Sequence, residues 1–227
     1  MRVSFLMAMA LPLAMAPMMM AKDVEDRLTS AAEVLSDMMH ASDKGIPQDL
    51  MNKAQCVVIV PGMKKGAFIV GAKYGKGFVA CRREGGMGWT APAAIRVEGG
   101  SVGFQIGGSE QDVILLVMNR HGMSKLLSDQ FTLGGEGTLA AGPLGRDASA
   151  QTDAMMHAEM LSYSRSRGVF AGISLDGATL RRDEDADMEL YGSRISNRAI
   201  LNGEVKAPAA AAPLESMLDK TSMHRDR

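Results

Sequence analysis

The chain has 227 residues, 46% of them hydrophobic, with 25 Lys and Arg against 26 Asp and Glu and a net charge of −1. This length and apolar content suffice for a folded core in one large or two small domains. Near-zero charge excludes a protein built mainly to bind nucleic acid, and two Cys exclude a disulfide-dense scaffold or a four-cysteine zinc module. Two residue types are unevenly spread. Seven of the 20 Met lie in residues 1–20, and 19 of the 25 Gly lie between Gly62 and Gly145.

The first 21 residues read as a leader. No charge occurs between Arg2 and Lys22, and the apolar run Val3–Ala21 contains Pro12 and Pro17. A positive start, an apolar stretch and small residues at its end describe a secretory signal peptide. Cleavage after Ala16, cleavage after Ala21 and retention as an anchor all stay open. The expected location is outside the cytoplasm, in the periplasm or extracellular space, with membrane association as an option. Cys56 and Cys81 are read as two buried free thiols in strands; a disulfide is the alternative in an oxidising compartment.

Val24, Leu28, Ala31, Leu35 and Met38 recur at helical spacing and predict an amphipathic helix over 23–41. Gly45 ends it, and Ile46-Pro47 opens a short second helix through Ala54. Val57–Val60 is a buried strand stopped by Pro61-Gly62, and strands over 67–73 and 77–83 flank a Tyr74-Gly75-Lys76 turn. Val102, Phe104 and Ile106 alternate with Gly103 and Gln105, and 112–118 reads as a strand buried on both faces. Residues 123–128 suggest one or two helical turns. Residues 147–160 are ambiguous and are read as strand in their sheet context. A strand over 169–175 precedes the Asp176-Gly177 turn, and 187–202 reads as helix. The domain reading is a leader over 1–21, one domain over 22–203, and an Ala/Pro linker with a loose tail over 204–227. The fold class is α+β: a curved, mainly antiparallel sheet, open or barrel-like, with flanking helices.

Several chemical motifs fail on context. Gly99-Gly100-Ser101-Val102-Gly103 matches a nucleophile elbow, but a strand follows Ser101 where a helix is needed. Gly75-Lys76-Gly77 opens a strand, so the helix N-terminus that binds pyrophosphate is missing. Asp183–Asp187 has alternating carboxylates, but Met188 and Arg194 stand where a calcium loop needs Gly and Glu, so a solvated acidic turn is expected. His157 and Glu159 alone make no metal site. No metal, no cofactor and no catalytic residues are assigned. One positive signal is basic: Lys64, Lys65, Lys73, Lys76, Arg82, Arg83 and Arg96, interleaved with Phe68, Tyr74, Phe78 and Trp89. Such a mixture suits anionic lipid head groups; solvated hairpin turns are the plainer alternative.

Six stretches in one order resemble the SYLF domain family. They are Ile46-Pro47 with Gly75-x-Gly77, Trp89-Thr90-Ala91-Pro92, Gly103–Gly108, Ala141–Arg146, the long run Ser162–Gly177, and Tyr191-Gly192. Thr90 stands where the family has Ser. The resemblance spans about residues 27–203. It implies a non-enzymatic lipid-binding module, here exported and recognising anionic phospholipid. The candidate contacts are Lys64, Lys65, Lys73, Lys76, Arg82, Arg83, Arg96 and Trp89. Protein partners are left unknown, and nucleic acid is not expected. The competing expectations are a structural or protein-binding envelope protein and a serine hydrolase using Ser101.

Overall fold

The computed structural model describes residues 16–41, 45–67, 70–85, 88–102, 107–128, 130–134, 139–145, 158–172, 175 and 177–222. The leader reading therefore lies mostly outside the described residues, as do Phe104 and the ambiguous stretch up to His157.

Helix α1 (Ala16–His40) leads into α2 (Gln48–Lys53). Four long strands follow: β1 (Cys56–Ala67), β2 (Val70–Cys81), β3 (Ala93–Val102) and β4 (Gly107–Val117). Next come α3 (Arg120–Leu126), β5 (Gln130–Thr132), β6 (Leu139–Ala141), β7 (Met160–Ser166), β8 (Val169–Gly172) and β9 (Thr179–Arg182). Helices α4 (Glu184–Tyr191), α5 (Asn197–Leu201) and α6 (Ala212–Thr221) close the described chain.

The nine strands among the described residues join one sheet in the order β5-β9-β3-β2-β1-β4-β7-β6, with β8 also on β7. The β6–β7 pair is parallel and the other pairings are antiparallel. The sheet curls into a half-barrel, so the α+β expectation with a curved, mainly antiparallel sheet holds.

Period-two alternation divides the strand residues between two cores. Val57, Ile59, Phe78, Ala80, Ile114, Leu116, Leu161 and Tyr163 pack with Leu28, Leu35 and Met38 of α1, Met51 of α2, Ala186 of α4 and Leu214 and Leu218 of α6. Val58, Val60, Val79, Ile95, Val113, Leu115 and Val117 pack on the other face with Leu126, Leu180, Ile200 and Leu201. The central strands are thus covered on both sides, which is why 112–118 reads as a continuous apolar run.

The structure differs from the sequence reading in several places. Pro61-Gly62 does not stop β1; the register shifts there as a bulge, and the strand continues to Ala67. Tyr74-Gly75-Lys76 is mid-strand, not a turn. Its glycine makes room, since a Cβ on Gly75 would stand 2.6 Å from Val60 Cγ1. The expected helix over 187–202 is two helices, split at Gly192 with φ 69°. The segment expected to be a loose tail carries a 3-10 turn (Ala209–Ala211) and α6, with Ala211, Leu214 and Leu218 buried. Cys56 and Cys81 are register partners on β1 and β2 and form a disulfide, which corrects the reading of two free thiols. No helix among the described residues is long and apolar enough to cross a membrane.

Candidate functional site

The basic residues clustered in sequence do not form one patch in space. Arg82 lies nine positions after Lys73, about 30 Å along an extended strand. They fall at opposite ends of β2.

At the lower end the residues are structural. Arg82 is buried; its Nε donates to Ala54 O (2.9 Å) and its Nη2 to Asn52 O (3.2 Å) and Met51 O (3.3 Å). It satisfies the carbonyls left over at the end of α2. Its guanidinium also lies 4.6 Å from the Trp89 ring centroid, a cation–π contact. Trp89 is 4% exposed, and its Nε1 donates to Ser222 Oγ at 2.9 Å. Arg82 and Trp89 therefore present no surface to a ligand. Arg83 is exposed but donates through Nε to Trp89 O at 2.7 Å.

Two further candidates are ion-paired. Lys76 Nζ lies 2.9 Å from Asp183 Oδ2, and Arg96 Nε lies 3.0 Å from Glu98 Oε1. Asp183 and Asp187 are each 1% exposed, which corrects the expected solvated acidic turn. Asp187 accepts a hydrogen bond from Ala94 N at 2.7 Å, and burial pushes its carboxyl up to about 7.

Lys64, Lys65 and Lys73 remain, and they stand together at the upper end. Lys64 is exposed on the α1 side of the sheet. Lys65 and Lys73 face the other side, directly opposite each other. Neither forms an ion pair among the described residues. Desolvation, and then the Lys73 charge, lower the Lys65 pKa. Like charges directly opposite on paired strands repel. This pair gains from an anion.

The surroundings are spare. On the α1 side Gly100, Ala72, Gly66 and Gly108 form one row across β3, β2, β1 and β4, and all four are exposed. A groove of about 830 Å³ runs past Lys64, Lys65, Ser109, Ser166 and Arg167, three cations against the single carboxylate of Glu110. Arg167 is a residue that the sequence reading passed over. The signal was an Arg-Gly pair between two alternating strands.

A second groove, about 700 Å³, lies between α1 and the sheet. Asp23, Asp26, Glu33, Asp37, Glu110 and Asp112 outnumber Arg27, Lys64, Lys76 and Arg165 in its lining. Arg165 bridges it, pairing with Asp112 (2.7 Å) and with Asp37.

Ser101 pairs with Gly71 inside β3, and the next element among the described residues is β4, a strand where a nucleophile elbow has its helix.

A family model described as Ysc84, "Las17-binding protein actin regulator", matches residues 98–221, more than half of the chain. The chain belongs to the Ysc84 (SYLF) family. An SH3 domain-containing protein of Schizosaccharomyces pombe is 36% identical over 185 residues, covering 80% of this chain and 43% of the relative. SH3 domain-containing YSC84-like protein 1 of Xenopus laevis is 35% identical over 196 residues, 83% of this chain and 58% of its own. LAS seventeen-binding protein 3 of Saccharomyces cerevisiae is 29% identical over 212 residues, 89% and 46%. The chain thus spans about half the length of these relatives. Several SYLF signature residues have structural duties here. Trp89 joins Arg82 to Ser222, Tyr191 donates its hydroxyl to Pro92 O (2.7 Å), and Gly142 lies against the Tyr163 ring.

Proposed function

We propose that this chain is an exported, non-enzymatic lipid-binding module that docks on anionic phospholipid through the upper end of its sheet. The observation that carries this is the Lys65–Lys73 pair, opposed across β1 and β2 without a carboxylate partner among the described residues, with Lys64 beside it. Each Lys near an anionic surface contributes ~1 kcal/mol. The site is thereby narrower than the eight residues read from sequence. Lys76 and Arg96 are neutralised by carboxylates, and Arg82 and Trp89 are buried. Export is supported by the apolar leader and by the Cys56–Cys81 disulfide, which persists in oxidising compartments.

Liposome co-sedimentation tests the reading. The protein is expected to pellet with phosphatidylglycerol vesicles, less with phosphatidylcholine, and less as salt rises. Replacing Lys64, Lys65 and Lys73 by Glu removes the preference. Equal binding to both vesicle types at low salt sinks the proposal.

A second reading is protein binding. The net-acidic groove beside α1 favours it, with a basic partner segment as the fitting occupant. Capture of a protein from envelope extract that is lost in the Asp23→Lys, Glu33→Lys variant, with no co-purifying lipid, would put this reading first.

A further inference from the structure

The β7–β8 hairpin turns through Arg167 and Gly168, with Ser166 paired to Val169. Both turn residues have positive φ, 49° at Arg167 and 78° at Gly168. Two such residues make a type I′ turn, whose natural occupant is Asn-Gly. Arg in the first position holds its Cβ against the following carbonyl, and Arg167 is the one non-glycine with positive φ among the described residues. Backbone strained in this way is offset elsewhere in a fold, and such positions cluster where a chain contacts its ligands.

Its neighbours say what. Arg167 lines the groove that also holds Lys64, Lys65 and Ser109. Val169 is 67% exposed, the most exposed large hydrophobic residue among those described. By strand alternation Val169 and Ser166 share the sheet face of Lys65 and Lys73. One corner therefore presents three cations and a bare aliphatic side chain at the tip of a tight turn.

We propose that the β7–β8 turn is the part of the molecule that seats in a lipid surface, with Arg167 on the head groups and Val169 in the apolar layer beneath them. This rests on the anionic-lipid reading above. A soluble phosphate would use the cations and leave Val169 without a role. A bilayer uses both, because its charged layer overlies an apolar one.

The test uses the full chain and vesicles of equimolar phosphatidylglycerol and phosphatidylcholine. Arg167→Asn places the preferred residue in the turn, so it should melt no lower than the parent while binding these vesicles about fivefold more weakly. Arg167→Lys should keep most of the binding. Val169→Ser should weaken vesicle binding about threefold and leave retention on an immobilised phosphate column unchanged. If Arg167→Asn and Val169→Ser bind vesicles as the parent does, while the Lys65→Glu, Lys73→Glu variant does not, the turn makes no lipid contact and this inference fails alone. If Val169→Ser binds normally and Arg167→Asn loses the phosphate column as well, the site is one for soluble phosphate and the bilayer contact is overturned. If the parent chain shows no preference for these vesicles at low salt, the lipid reading fails and this inference with it.

Discussion

A Cβ built on Gly77 would stand 2.0 Å from the Ile59 carbonyl oxygen and 2.8 Å from Val60 Cα. Backbone, unlike a side-chain tip, has no easy way to move aside, so Gly77→Ala should cost at least about 3 kcal/mol or prevent folding, read from urea melts. An alanine that folds with parental stability would mean that the β1 bulge does not sit over Gly77. The same logic explains why Gly75-x-Gly77 resembles a phosphate fingerprint yet is not one: the glycines admit a neighbouring strand rather than a ligand. The disulfide acts on the same pair of strands. It closes a loop with a sequence separation of 25, for which the chain-entropy argument gives about 3–4 kcal/mol. Cys56→Ser with Cys81→Ser, or added reductant, should lower stability by about 3 kcal/mol; a reductant-insensitive melt would show that the bond does not form.

At the scale of elements, α4 is tied to the sheet by a carboxylate out of water. Asp187 takes the Ala94 N–H, and desolvation first, then the nearby Asp183 charge, raise it to about 7 from an ordinary 3.8. The raised value means that the folded state holds a proton the unfolded chain has already lost. Its contribution is full below about pH 4 and fades as pH rises through about 7. Asp187→Asn keeps the acceptor and removes the charge. The variant should flatten the stability profile between pH 4 and 7 and exceed the parent at pH 8 by on the order of 2 kcal/mol, measured by urea melts across pH. An unaltered slope would mean that Asp187 is ionised throughout. The amphipathic helix over 23–41 was legible in the sequence because its apolar stripe is regular, and α1 buries that stripe. Helix α6 was not: Pro208–Pro213 has linker composition, and α6 finds its place against α1, with Ser222 on the Trp89 ring nitrogen, partners far away in sequence. The candidate site divides in the same way. Lys64, Lys65 and Lys73 could be read from local charge, whereas the burial of Arg82 depends on α2 ending beside β2. The strain at Arg167 depends on a backbone angle that sequence spacing does not carry.

The whole molecule is a sheet with two kinds of surroundings. Around Val58, Val79 and Leu115 it is packed on both faces by the two cores, and these residues are fully buried. Beyond the β1 bulge the same strands run on with Lys64, Gly66, Ala72, Tyr74 and Gly100 exposed, so on the α1 face the ladder continues after the core has stopped. Strand pairs without packed side chains open locally, while buried ones open only with the whole domain. Amide hydrogen exchange should therefore divide β1 and β2 in two. The amides of Val58 and Val79 should exchange by global unfolding, and the hydrogen-bonded amides near Gly66 and Ala72 at least about 100-fold faster. The difference matters for function because the proposed lipid contacts sit on the faster half. Docking on anionic vesicles should then slow exchange at the Gly66–Ala72 end and at the β7–β8 turn, leaving the core amides unchanged. Uniform protection along β1 and β2 would show that the upper ladder is as stable as the core, and slowing confined to the lower ends would move the docking surface away from the lysine pair.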